Sequence, residues 1–283
     1  MRTLLLTAIF ACGLCGQEPF QVKVTGHGQP MILIPGLASS GETWDSTVAR
    51  YKDRFECHVL TVAGFAGVPR VPAPMLDKVR DGLADYIRKN HLEKPVIVGH
   101  SLGGFIAMDF AAKYPDVPGK LVIVDIYPFT MGVDPEMTLA RAKGIAAQIR
   151  KSIAGMTPEA YQAYAKEGTA TNDMVTSEAD KKRLIEWSLA SDRTAVADAM
   201  YEMYGADLRE EVAKITAPTL VFGTWRGNEE YGANHETVDA NLHSQYAKVK
   251  DVEIHVSDNA RHFIMWDDPN WMFGHLDRFL GTR

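Results

Sequence analysis

Basic residues are in short supply. The 283-residue chain carries 30 Lys and Arg against 36 Asp and Glu, a formal net charge of -6, and its basic residues do not cluster. That argues against a nucleic-acid partner, whose phosphates demand a basic face. Cysteine is almost absent, with three in all. Two of them, Cys12 and Cys15, fall in an N-terminal stretch read as a cleaved leader. Cys57 would then be the only mature cysteine, with no intramolecular disulfide expected, and is read as a small apolar residue at a strand start. Beyond the N-terminus no apolar stretch is long enough to span a membrane. Internal repeats, low-complexity linkers, clustered Cys/His ligands, a His-x-x-x-His helix, a P-loop and a dinucleotide fingerprint are all missing. No metal or cofactor is therefore expected.

The N-terminus has its own character. Arg2 precedes the apolar run Leu4-Leu5-Leu6-Thr7-Ala8-Ile9-Phe10-Ala11-Cys12, and the small residues Gly13 and Gly16 follow before the polar Gln17-Glu18. This is the layout of a secretory signal peptide over residues 1–16, with export to the periplasm or the medium. The alternative is a lipoprotein anchored through Cys12, for which Phe10 fits poorly. The mature chain, 17–283, is long enough for one large α/β domain with an inserted subdomain.

At its centre stands Val96-Ile97-Val98-Gly99-His100-Ser101-Leu102-Gly103-Gly104. The β-branched run predicts a buried strand, and 102–113, ending before Tyr114-Pro115, a helix packed behind it. Between them, Gly99-x-Ser101-x-Gly103 has the nucleophile-elbow pattern, in which a serine sits on a sharp strand-to-helix turn. Glycine on either side leaves room for that turn, and the helix start aims free N–H groups and a partial positive charge beside the serine.

Further strands are predicted at 20–24, 31–34, 57–62, 120–125, 218–223 and 252–256. Helices are predicted at 43–51, 75–90, 235–248 and 269–280. From about 127 to 216 no strand-like run occurs; four helical segments near 134–155, 158–167, 178–191 and 193–213 suggest a helical cap inserted between two strands. Alternation of strands and helices predicts a doubly wound, mostly parallel sheet whose ligand site lies beyond the carboxyl ends of its strands.

The chain resembles the α/β-hydrolase superfamily. The resemblance rests on Pro35-Gly36-Leu37, Gly64-Phe65-Ala66-Gly67, Gly99-His100-Ser101-Leu102-Gly103-Gly104, Asp125, Pro218-Thr219-Leu220-Val221-Phe222-Gly223 and Ala260-Arg261-His262-Phe263. It covers essentially the whole chain after the leader and implies a serine nucleophile, Ser101, served by a histidine base and an orienting acid. The resemblance places the base at His262, in the loop before the last helix. The other histidines weighed, His27, His58, His91, His235, His243 and His275, are assigned to turns and element surfaces, and His100 to packing inside the elbow.

The acid departs from the family's commonest pattern. Where an aspartate would follow the Pro-Thr-Leu-Val strand, this chain reads Gly223-Thr224-Trp225-Arg226-Gly227-Asn228-Glu229-Glu230. Asp125, at the end of the strand after the elbow, is the position some members use; Glu229 and Glu230 stay open as alternatives. Two backbone N–H groups, of Leu37 and Leu102, are expected to form an oxyanion hole. The family usually has His-Gly before the first donor; here it is Pro35-Gly36. Phe65, Trp225 and Phe129 are expected to line the substrate pocket, with Tyr127, Trp187 and Tyr201 as further wall aromatics.

The resemblance implies hydrolysis of small or medium carboxylic esters through an acyl-enzyme. Alternatives are an aminopeptidase of the proline-iminopeptidase kind, another amide, lactone or thioester hydrolase, and a ligand-binding protein without turnover. A serine at 101 argues against the epoxide hydrolases and dehalogenases of this fold, which use aspartate.

Overall fold

A computed structural model describes residues 17–169 and 174–282, with no side-chain description at 168 and 169. The leader reading of 1–16, with Cys12, lies outside the described residues. Seven strands form one sheet in the order β1-β3-β2-β4-β5-β6-β7. They are β1 (Phe20–Gly26), β2 (Gln29–Ile34), β3 (Phe55–Val62), β4 (Val96–His100), β5 (Lys120–Val124), β6 (Thr219–Thr224) and β7 (Val252–Ser257). Only β1 runs antiparallel, against β3.

Period-two alternation assigns each strand residue to one of two apolar layers. On one face Ile32, Ile34, Leu60, Ile97, Leu121, Ile123 and Val221 pack against α2 (Met75–Lys89), α3 (Leu102–Lys113) and α8 (His235–Gln245). On the other, Met31, Leu33, Val96, Val98, Val122, Leu220 and Phe222 meet α1 (Asp45–Tyr51), α9 (Ile264–Asp267) and α10 (Pro269–Leu280). Central strands buried on both faces explain the unbroken Val/Ile/Leu runs. Cys57 belongs to the second layer, and burial pushes its thiol up to about 11, leaving it inert at neutral pH.

The crossover from β5 to β6 carries α4 (Leu139–Ala154), α5 (Pro158–Thr169), α6 (Glu178–Ala190) and α7 (Arg193–Tyr204). Thr138, Ser177 and Asp192 cap α4, α6 and α7 with side-chain oxygens. Glu202 of α7 accepts the N–H groups of Met75 (2.9 Å) and Leu76 (2.7 Å), tying this helical layer to the start of α2.

Some boundaries differ from the sequence reading. The segment 193–213 breaks after Tyr204, where Gly205 follows, and resumes only as a 3-10 turn at Glu211–Lys214; the helix begun at His235 ends at Gln245. The segment 257–265 runs into α9, a single helical turn with no periodicity to reveal it. His58, assigned to a surface, is buried at 3% exposure, with Nδ1 2.8 Å from the Tyr86 hydroxyl.

Candidate active site

The carboxyl ends of β2, β4, β5 and β6 open onto a cavity of about 790 Å³, walled also by residues of α5, α6, α7 and α8. Its size suits a small or medium organic ligand. Ser101, Asp125, His262, Leu37 and His100 all face it.

Ser101 is the turn between β4 and α3, at φ 52° and ψ -122°. A non-glycine residue here is strained, on the order of 1–3 kcal/mol, and persists only where its surroundings enforce it. The Ser101 N–H donates to Val124 O at 2.8 Å, and its carbonyl accepts from Phe105 N–H at 3.0 Å. The flanking glycines are needed for contact distance. A Cβ on Gly99 would lie 2.3 Å from Gly103 O, and one on Gly103 would lie 2.2 Å from Ile34 O. Ala38 (φ 53°) and Asp125 (φ 52°) are also left-handed and also line the cavity. Three of the six left-handed non-glycine residues among those described thus lie at the cavity; Ala66, His91 and Lys94 lie elsewhere.

Asp125 leaves β5 one residue past its last ladder position, with its N–H donated to Phe222 O at 2.8 Å. Its carboxylate is fully engaged: Oδ1 accepts from Thr224 N–H at 3.2 Å, and Oδ2 lies 2.6 Å from Nδ1 of His262. Both side chains are about four-fifths buried, at 19% and 23% exposure. Glu229 and Glu230 are exposed, and Glu229 pairs with Arg226 at 3.3 Å. Arg226 stacks 4.2 Å over Trp225 and donates to Asp258 O at 2.8 Å, so these two residues are held at the loop after β7 while Asn228 and Tyr231 return to the cavity wall.

His100 packs, as expected, and does more. It is fully buried, with Nε2 3.0 Å from the backbone O of His262 and the two rings 4.5 Å apart. A carbonyl only accepts, so Nε2 carries the proton. Burial, and then the neighbouring His262, hold His100 well below the usual histidine range, which keeps it neutral. Its Nδ1 is buried with no hydrogen-bond partner and lies 3.1 Å from where a Cβ on Gly36 would stand. The loop after β2 thus rests directly on the elbow. Leu37 lies in that loop beside Ser101, and Leu102 opens α3.

The predicted pocket aromatics need correction. Phe65 and Phe129 are fully exposure-free core residues, Phe129 beneath the Arg209 guanidinium at 4.7 Å. Trp225 donates its indole N–H to Asp258 at 2.9 Å on the outer side. None of the three lines the cavity. Trp187 packs at a tilt against Trp266 instead, with ring centroids 5.9 Å apart, while Tyr127 does face the cavity. The missed wall tyrosines are Tyr161, Tyr164, Tyr204 and Tyr231. Their only sequence trace was tyrosine recurring in the helical segment and after β6.

Among the described residues, Glu253, His255 and His275 have metal-ligand spacing. Arg278 donates to His275 Nδ1 at 2.6 Å, and a guanidinium so placed opposes a bound cation.

A sequence model of the alpha/beta hydrolase family matches residues 31–274, most of the chain. Among curated proteins, an N-formylmaleamate deformylase of Pseudomonas putida is 25% identical over 94% of this chain and 93% of its own. A pimeloyl-[acyl-carrier protein] methyl ester esterase of Vibrio cholerae is 26% identical over 70% of this chain and 76% of its own. An esterase from Exiguobacterium antarcticum shares the fold with a TM-score of 0.74 at 14% identity, over 93% of this chain and 96% of that one. Together with the seven-stranded, mostly parallel sheet, the match leads to one assignment: the chain belongs to the alpha/beta hydrolase family.

Proposed function

We propose that this hydrolase cleaves small or medium carboxylic esters through an acyl-enzyme. Ser101 is the nucleophile, His262 the general base and Asp125 the carboxylate that orients it. The observation that carries the reading is the 2.6 Å His262–Asp125 pair facing the same cavity as the strained Ser101. With Asp125 on Nδ1, the Nε2 side of His262 is the one left to take the serine proton. Ser101 Oγ attacks the ester carbonyl as that proton leaves, and the oxyanion rests on the N–H groups of Leu37 and Leu102. His262 then protonates the departing alcohol, and water, activated by the same histidine, releases the acid. His100, hydrogen-bonded to the His262 carbonyl, steadies the base from behind.

In this reading the segment 127–216 acts as a cap that shields the acyl-enzyme, which its contribution of Tyr161, Leu184 and Val196 to the cavity supports. The leader at 1–16 makes the enzyme an exported one. Amide hydrolysis is the second reading, favoured by the deformylase relative that matches along 94% of the chain. The aminopeptidase reading is less well supported. Among the described residues Asp125 is the only acid in the wall, and pairing with His262 leaves it unavailable to a substrate ammonium.

The test is fluorophosphonate labelling of the purified chain, with intact mass and peptide mapping, beside a screen of p-nitrophenyl esters of increasing acyl length. Labelling at Ser101 with ester turnover is expected. A folded chain that neither labels nor turns over any ester would be a binding protein instead.

A further inference from the structure

The charge of the cavity wall selects among esters, an inference that rests on the acyl-transfer reading above. Among the described residues no lysine or arginine lines the cavity. Residues 168–173, whose side chains are not described, carry no basic group by sequence. Among the described residues the one acid in the wall, Asp125, is matched by His262. The remaining polarity is neutral, much of it tyrosine hydroxyl. Burial pushes Tyr161 up to about 12 and also raises Tyr127, Tyr164 and Tyr204, so each stays protonated at neutral pH.

Apolar groups make up most of the rest. Leu184, Val196 and Met203 are buried at 3%, 4% and 4% exposure. Val133 and Tyr231, at 53% and 78%, stand at the solvent-facing rim. One cation that acts on a wall residue is Arg193, whose charge is felt by Tyr161. It does not line the cavity, and its Nη1 is turned to the carbonyl of Met156.

We propose that the site is specific for esters uncharged in both their acyl and alcohol parts, with the aryl or alkyl acyl group held against tyrosine and aliphatic side chains. A carboxylate on the substrate would lose its hydration, meet no cation, and stand in one chamber with the Asp125 carboxylate. Tyrosine hydroxyls can serve the neutral oxygen atoms of such substrates, but they do not neutralise a charge.

The experiment compares three p-nitrophenyl esters with the purified chain at pH 7: the butyrate, the hemisuccinate, and the hemisuccinate with its free acid masked as a methyl ester. The butyrate and the masked ester are expected to exceed the hemisuccinate at least about a hundredfold in kcat/KM. A hemisuccinate within fivefold of the butyrate overturns the proposal. So does a masked ester as poor as the hemisuccinate, which would show that length, not charge, is rejected. Hemisuccinate turnover lost in Arg193→Gln would identify Arg193 as an anion partner and overturn it too. If no ester turns over and Ser101 takes no fluorophosphonate, the acyl-transfer reading falls separately. Binding of the same compounds to Ser101→Ala then decides: at least tenfold tighter butyrate than hemisuccinate supports charge selection, and equal or weaker butyrate binding, or none, overturns it.

Discussion

Nδ1 of His262 lies 2.6 Å from Oδ2 of Asp125, across 137 positions of the chain. The contact joins the end of β5 to the loop after β7, with β6 between them in the sheet. The Thr224 N–H, at the end of β6, holds the other carboxylate oxygen. Just past β6, Trp225 and Arg226 are bonded to Asp258 and Glu229 pairs with Arg226, which leaves this place to Asp125.

Substitutions should separate the acids. Asp125→Asn is expected to lower kcat by about four orders of magnitude, since an amide presents the wrong partner to the Nδ1 proton. Glu229→Gln, which breaks only an exposed pair with Arg226, should change kcat less than about twofold. Steady-state kinetics on a p-nitrophenyl ester checks both. Equal losses in the two variants would contradict the assignment.

The elbow glycines should be intolerant of a single methyl. In Gly103→Ala the new Cβ would meet Ile34 O at 2.2 Å and Pro35 O at 2.5 Å, both backbone atoms that cannot swing away. A loss of stability on the order of 1–3 kcal/mol is expected, read as a lower urea midpoint. Gly144→Ala, where a Cβ meets nothing within 4 Å in a helix interior, should be neutral or stabilising.

Acid should destabilise the fold before its carboxylates titrate. Three histidines sit below their ordinary range: His100 through burial and then His262, His58 through burial, and His275, at about 4, through burial and then His255 and Arg278. Their native forms stay neutral while the unfolded chain takes up protons near pH 6.5. Stability is therefore present above about pH 6.5 and falls as pH drops toward each native pKa. Urea unfolding at pH 7, 6 and 5 should show declining stability. At pH 5, His275→Gln should reduce the proton uptake on unfolding by about one.

Export makes its own prediction. Made with residues 1–16 in a host that secretes, the recovered chain should begin just after Gly16, as N-terminal sequencing and intact mass would report. A lipid-modified Cys12 at the N-terminus would favour the anchored alternative.

The sequence by itself determined the strands, the longer helices and their order, because each is governed by neighbours a few residues away. Continuous Val/Ile/Leu runs such as 121–124 can satisfy their burial only inside a sheet covered on both faces, and Gly99-x-Ser101-x-Gly103 allows one tight turn. Serine at the elbow and a histidine before the last helix were legible on that basis, with the family resemblance. What only the tertiary structure decided is which side chains meet. Whether Asp125 or Glu229 faces His262 depends on which way the loop after β6 turns, and that turn is set by Asp258 across the sheet edge. Phe65 and Phe129 were expected in the pocket and lie in the core, while Tyr161 and Tyr204 reach it from helices whose own periodicity does not reveal their docking. Hydrophobicity is a property of a residue; facing a cavity is a property of the packing of several distant segments.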